Sequence, residues 1–418
     1  MKPKRSRKKN EPISCEEDRI SSLPDPILHQ ILSSIDTYTA VRTCALSKRW
    51  RHLWTSLHRL HFDSSQFPAQ DYSAAPTFHS ISSEGLRFSS FVNHVLSLRD
   101  EALNLSSFSL ISAYDDPGLA ERCICYAGCY NVKQLLLCIR SHASIIVLPR
   151  CFTNSESLEV LTLDNSYYSI SMDQPFCLPA LKTLRLEHFD DPANFITRTV
   201  ANCPNLETLV LDNLDLCSED TESQCSKLNI TGAQIRKLEL CYYHGHNWKC
   251  YESEVEVSAL RLTSFKLVGS VSPVFSMGSL PCLEDVYVDL CPEGFLADEV
   301  KQRMLLNVMN LLGQLREATS VTLSWETLET LAMDPDSLKS QPTPFHKLKH
   351  LKLITPRGYS NSTLVLNVLA YLAQGSSCSD TLVVEYPQAL QNNEAIGIER
   401  WCRLFGYERD ICLYTFSS

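Results

Sequence analysis

The sequence predicts an α/β protein in which a small helical module leads into an irregular leucine-rich solenoid of horseshoe form. Three observations predict it. An apolar-x-x-apolar-x-apolar triplet returns along most of the chain, helix-spaced apolar stripes fall between its copies, and the first sixty residues hold a separate helical pattern. The expected organisation is a basic tail over 1–15, the helical module over 16–57 and the repeats over 58–418.

The tail reads MKPKRSRKKN, with Lys2, Lys4, Arg5, Arg7, Lys8 and Lys9 among the 38 basic residues of the chain. No apolar stretch follows these charges, so the tail is not a secretory leader. It is expected to be disordered and to serve as a nuclear-import address or a loose polyanion contact, which places the protein in the nucleus, the cytoplasm or both. Outside its first ten residues the chain holds 32 basic against 48 acidic residues, a net of −16. So acidic a body is a poor general binder of nucleic acid.

In the helical module, Asp25-Pro26 reads as a helix start, with the carboxylate as cap and proline at the first helical position. Ile27, Leu28, Ile31, Leu32 and Ile35 then form one apolar face. A second helical stretch is expected from Val41, Ala45 and Leu46 through Trp50, Leu53, Trp54 and Leu57. Forty residues without disulfides seldom hold themselves folded. The module should lean on a partner, on the repeats, or on both.

The repeats place strands near residues 60, 108, 135, 161, 184, 209, 238, 265, 286, 321 and 351. Four triplets are all leucine, and from Leu105 to Leu283 the steps are 27, 26, 23, 25, 29, 27 and 21 residues. Those steps match the ~20–29 residues of a leucine-rich repeat. Helical stripes at Phe88–Leu98, Phe195–Leu206, Leu305–Leu312 and Leu364–Leu372 read as core packing. The usual Asn or Cys three positions after each triplet is mostly replaced, by Ser166, Phe189, Leu214, Tyr243 and Ser270, with Cys291 the one match. Irregular turns packed by apolar groups, without an amide ladder, are therefore expected.

Residues 18–57 resemble an F-box, particularly the plant type found ahead of leucine-rich repeats. The matching pieces are Leu23-Pro24-Asp25, Ile27-Leu28, Ile31-Leu32-Ser33, Ala40-Val41-Arg42-Thr43, Leu46-Ser47-Lys48-Arg49-Trp50-Arg51 and Leu53-Trp54. Later segments, among them Cys203-Pro204-Asn205-Leu206-Glu207, are similar to the same F-box/LRR, FBD-related family. Two places depart from it. Asp36-Thr37-Tyr38-Thr39 stands where proline and lysine are usual, and Asn392–Ser418 does not clearly complete the terminal domain of many relatives. The resemblance implies a substrate-recognition subunit of an SCF-type ubiquitin ligase, docked on a Skp-type adaptor and through it on cullin and RING subunits. Leu23, Pro24, Ile27, Ile31, Val41, Leu46, Trp50 and Trp54 are the candidate adaptor surface or its support, the tryptophans serving both purposes.

Strand alternation exposes a second set on the concave face: Arg185, Glu187, Thr208, Asp212, Lys237, Glu239, Lys266, Asp285, Tyr287, Asp289, His350 and Lys352. Its interleaved charges suit a protein client. Catalysis is not expected: no phosphate-binding glycine loop, His-Glu-x-x-His or Gly-x-Ser-x-Gly is present. No Cys-x-x-Cys occurs among the 18 cysteines, which are expected to be buried free thiols, and no metal site or cofactor is implied. His244-Gly245-His246 reads as an ordinary polar loop. Two other readings stay open, a non-degradative scaffold and a ligand-dependent receptor of the F-box type.

Overall fold

The computed structural model describes residues 20, 22–67, 83–114, 116–139, 146–165, 171, 174–190, 193–215, 227–242, 252–270, 272–291, 298–334, 337–338, 341–354, 367–369, 371–372 and 383–385. Twelve parallel strands form one sheet, and eleven of them hold the predicted triplets in register. They are β1 (Arg59–Asp63), β2 (Ser107–Ser112), β3 (Gln134–Ile139), β4 (Val160–Asp164), β5 (Thr183–Asp190) and β6 (Thr208–Asp215). The series continues with β8 (Lys237–Tyr242), β10 (Ser264–Gly269), β12 (Asp285–Leu290), β13 (Ser320–Ser324), β14 (His350–Ile354) and β15 (Val383–Glu385). Leu184 stands beside Leu161 and Leu209, and Leu186 beside Leu163 and Leu211, all fully buried. Each inward leucine therefore packs on its counterpart in the next repeat, the nearest-neighbour stacking that holds a solenoid together.

The outer layer changes character along the array. Helices α3 (Ser83–Leu98), α4 (Pro117–Cys129), α5 (Arg150–Thr153) and α6 (Ala193–Ala201) follow β1, β2, β3 and β5. Then three outer strands take over, β7 (Lys227–Thr231), β9 (Glu254–Ser258) and β11 (Val274–Met277), paired parallel in a small second sheet between α6 and α7 (Asp298–Gln314). Leu228, Ile230, Val255, Val257 and Phe275 face inward from it. Helix α8 (Trp325–Ala332) resumes the helical pattern. Among the described residues, no helix is long and apolar enough to cross a membrane.

A ladder does join the repeats, but it is made of backbone. Just before most strands of the main sheet, one carbonyl accepts two amides from the next repeat. Lys133 O takes Glu159 N at 2.8 Å and Val160 N at 2.9 Å, and the pattern runs on through Glu159, Lys182, Glu207, Arg236, Thr263, Glu284 and Thr319. From β4 to β14 the strand entries of the main sheet thus have their amides satisfied without an Asn side chain. At the later turns Phe189 is buried, and the Ser270 hydroxyl is buried without a partner. Ser166, Tyr243 and the Leu214 side chain lie outside the described residues, as do His244–His246, the tail, 392–418 and most of the stripe ending at Leu372. Gly269 marks a close approach between strands, since a Cβ there would run into the Tyr242 carbonyl.

The amino-terminal module is two short helices and a chain of turns. Helix α1 spans Asp25–Ser33, and α2 spans Thr37–Arg42, capped by the Asp36 carboxylate on Thr39 N at 2.8 Å. Burial pushes Asp36 upward, but hydrogen bonds from Thr39 and Gln66 outweigh it and hold the carboxyl below its usual range. Beyond α2 the expected second helix is absent. In its place come 3-10 turns at Thr43–Ala45 and Leu53–Ser56 with further hydrogen-bonded turns between them. Such turns repeat every three residues, close enough to the helical period to bring Trp50, Leu53, Trp54 and Leu57 into one core. Asp25 does not cap α1, whose N-cap is Pro24; its carboxylate is held by Arg49, which also donates to Leu23 O at 2.6 Å.

The module leans on the repeats. Thr37 Oγ1 accepts the His61 amide of β1 at 2.8 Å, and the Tyr38 ring meets Phe67 and Phe91 edge-on at 5.0 and 5.5 Å. One continuous core runs from Leu28 to Leu372.

Candidate functional site

Two surfaces present side chains that the fold does not use up. The first is on the amino-terminal module. The five apolar residues expected on one face of α1 divide: Leu28 and Leu32 are fully buried, while Ile27, Ile31 and Ile35 are 43%, 40% and 37% exposed. Leu46 is 67% exposed. Of the eleven large apolar side chains exposed among the described residues, five (Ile20, Ile27, Ile31, Ile35 and Leu46) belong to this short module. Pro24 is exposed beside them, and Leu23 and Val41 are half-buried against the core. Trp50 and Trp54 are buried, so they support this surface from beneath and do not form it.

The second surface is the sheet face turned away from the helices. Register lines its residues into rows, one running Thr162, Arg185, Val210, Glu239, Lys266, Tyr287, Thr322 and Lys352. The charges pair among themselves. Arg185 holds Glu187 and, at 2.9 Å, Asp212; Lys237 meets Glu239 at 2.6 Å, and Lys266 reaches the same carboxylate at 3.8 Å. Lys266 also lies over the Tyr287 ring, 5.3 Å from its centroid, and Tyr287 Oη donates to Asp289 at 3.4 Å. Asp285 and His350 stand exposed at the strand entries. These contacts form two polar clusters, Arg185 with Glu187 and Asp212, and Lys237 through Asp289, with Lys352 further along the same row.

Sequence reasoning missed one member of this face. Strict alternation turns residue 188 inward, but His188 has a φ of 60°, as Asn213 has one of 52° at the matching place in β6. This left-handed residue, matched by Asn213 opposite it, breaks the alternation after the outward Glu187, so that Phe189 is buried and the imidazole returns to Asp164 with Nδ1 2.9 Å from Oδ1. The Cys138 thiol donates to the other oxygen of Asp164 at 3.1 Å. The signal available in sequence was weak: His and Asn are among the few side chains that tolerate this backbone.

The cysteines correct another expectation. Of those described, Cys123, Cys203 and Cys241 are buried, with burial pushing their thiols up to about 12, 11 and 11. Cys44 and Cys138 are intermediate, and Cys125, Cys129, Cys151, Cys177, Cys282 and Cys291 are exposed. They sit on outer helix faces and turns, where a small side chain meets solvent as readily as core.

Comparison with known proteins agrees with this architecture. Residues 20–62 match the F-box domain, and residues 126–288 match the repeats described as "FBD-associated F-box protein At5g56370, LRR repeats". Three proteins of Arabidopsis thaliana are similar. The chain is 33% identical to F-box/LRR-repeat protein At3g26922 over 49% of its own length and 63% of that protein's. It is 36% identical to F-box/FBD/LRR-repeat protein At2g04230, over 47% and 43% respectively. It is 29% identical to FBD-associated F-box protein At4g10400, over 65% and 61%. The chain therefore spans less than two thirds of the length of these relatives.

Proposed function

Because the chain is an F-box protein with leucine-rich repeats of the FBD-associated type, we propose that it is the substrate-recognition subunit of an SCF-type ubiquitin ligase. The F-box docks a Skp-type adaptor, which connects it to cullin and RING subunits, and the repeats hold a protein client for ubiquitination and proteasomal degradation. The observation that carries the reading is the division of α1, whose inner leucines fold the module while Ile27 and Ile31 stay exposed one turn apart. The chain acts as an adaptor and leaves catalysis to its partners. Co-purification of adaptor, cullin and a client that turns over faster in its presence tests the reading; an adaptor complex without client turnover favours a non-degradative scaffold.

Client recognition is assigned to the open face of the sheet. Its cations are already engaged by neighbouring carboxylates, which suits a client with charges of both signs better than an anionic small ligand. Matching of this kind governs specificity and on-rate more than raw affinity. Reversing Asp285 and Asp289 to lysine is expected to lower client association about tenfold, as measured by surface plasmon resonance, with adaptor binding and melting temperature unchanged. A client indifferent to that reversal and to Lys237→Glu with Lys266→Glu binds elsewhere.

The basic tail is assigned to nuclear import. Deleting residues 2–9 from a fluorescently tagged chain is expected to move it from nucleus to cytoplasm, and an unchanged distribution rejects the assignment.

A further inference from the structure

We propose that Cys138, Asp164, Glu187 and His188 bind one divalent transition-metal ion of the zinc class on the open face of the sheet. The site is built by register. Cys138, Asp164 and Glu187 are direct neighbours on β3, β4 and β5, and the left-handed His188 swings its ring back toward β4. Donor atoms of Asp164, Glu187 and His188 all lie within 4.8 Å of one another. Ligands about 2.0–2.3 Å from zinc stand roughly 3.5 Å apart in a tetrahedron, so small side-chain rotations close these three, and Cys138, outside that group, must turn its thiol from the far oxygen of Asp164 to complete the set. Asp164 is already the hub, with Cys138 Sγ on one oxygen and His188 Nδ1 on the other.

Electrostatics favour a cation here. Asp164, Glu187 and Asp212 stack across three neighbouring strands, and like charges directly opposite destabilise a sheet. Arg185 compensates the Glu187–Asp212 step by holding both carboxylates, which draws its guanidinium toward β6. The Asp164–Glu187 step has the imidazole beside it, and an ion there neutralises both acids. The side chains of Asp164 and Glu187 are only 18% and 23% exposed, so that attraction is partly shielded from solvent screening. A set holding imidazole nitrogen and sulfur with two carboxylates suits zinc or cobalt and not magnesium or calcium, which take oxygen. Binding releases the Cys138 thiol proton to solvent and takes His188 as the neutral imidazole. The inference does not rest on the ubiquitin-ligase reading.

The test is titration of the full-length chain, free of metal, with Co²⁺ as the probe and Zn²⁺ as competitor. The expected result is one saturable site with four-coordinate d–d absorption and a thiolate-to-cobalt charge-transfer band. His188→Asn, which tolerates the left-handed backbone, and Asp164→Asn should each weaken binding at least ~100-fold, beyond the 10–100-fold typical of losing an outer partner. Cys138→Ala should abolish the charge-transfer band, whereas Cys125→Ser with Cys129→Ser and Cys151→Ser should leave it intact. Melting curves without metal identify the variants that fold, and either Asn variant suffices. Absence of saturable binding by the natural chain, unchanged affinity in a folded Asn variant, or a band that follows Cys125, Cys129 and Cys151 would overturn the proposal.

Discussion

Replacing Arg99 with methionine is expected to destabilise the chain by about 3–5 kcal/mol and to loosen the junction between F-box and repeats first. Arg99 is 3% exposed, at the end of α3. Its Nε donates at 3.0 Å to the carbonyl of Leu57, two residues before β1, and Nη2 donates to Leu103 O at 2.8 Å and Asn104 O at 3.1 Å. The guanidinium also lies over the Tyr130 ring, 5.4 Å from its centroid. One planar group therefore ties the F-box exit, the loop before β2 and the end of α4. Methionine fills a similar volume but donates nothing, leaving the buried Leu57 carbonyl unpaired at roughly 1–3 kcal/mol and the part-buried Leu103 and Asn104 carbonyls without their donor at a smaller cost. Lysine keeps the charge without the fork and should recover less than half of the loss. Hydrogen exchange at Asp100, whose amide donates to Thr55 O at 2.9 Å in the same junction, reads the local effect, and thermal unfolding reads the global one. Equal melting temperatures for the arginine and methionine forms would mean that other contacts carry the junction.

Arg99 also shows where sequence reading stops. Its neighbours Val95 and Leu96 announce the helix by spacing, but a lone arginine after an apolar stripe resembles a solvated end. Only the fold brings Leu57, Leu103 and Tyr130 to it. The leucine triplets were legible because each places two side chains in a stack of identical neighbours, so one local pattern fixes both the element and its packing. The strand-entry ladder uses backbone alone and leaves no residue signature. The outer sheet had one, the alternation in Lys227–Thr231 and Glu254–Ser258, but strands so short compete with the helix expected between repeats. On the open face, alternation found the charged residues. That Arg185 would take both Glu187 and Asp212 depended on the register of β5 and β6. In the F-box, period alone could not separate Leu28 and Leu32 from Ile27 and Ile31, because both pairs are spaced by four and differ only in which side meets the 3-10 turn at Leu53–Ser56.

That separation leads to the other large effect. Changing Ile27 and Ile31 to serine is expected to abolish capture of a Skp-type adaptor while leaving the chain folded. Both side chains are exposed, so their loss opens no cavity, and the buried Leu28 and Leu32 keep α1 seated. Apolar anchors at the centre of an interface cost about 2 kcal/mol or more when truncated, roughly thirtyfold each at about 1.4 kcal/mol per tenfold. Two anchors should take a micromolar or tighter complex out of the range of a pull-down. Leu23→Ala with Pro24→Ala should act in the same direction, because Leu23 is half-buried and its carbonyl receives Arg49, which fixes the entry to α1. Leu28→Ser with Leu32→Ser should also lose the adaptor, but through collapse of the module, visible as early proteolysis before β1. The serine pair at Ile27 and Ile31 should show no such cleavage. If that pair binds the adaptor with unchanged affinity in isothermal titration, the docking surface is not the outer face of α1. Leu46, 67% exposed beyond the 3-10 turn at Thr43–Ala45, then becomes the residue on which the interface must be centred.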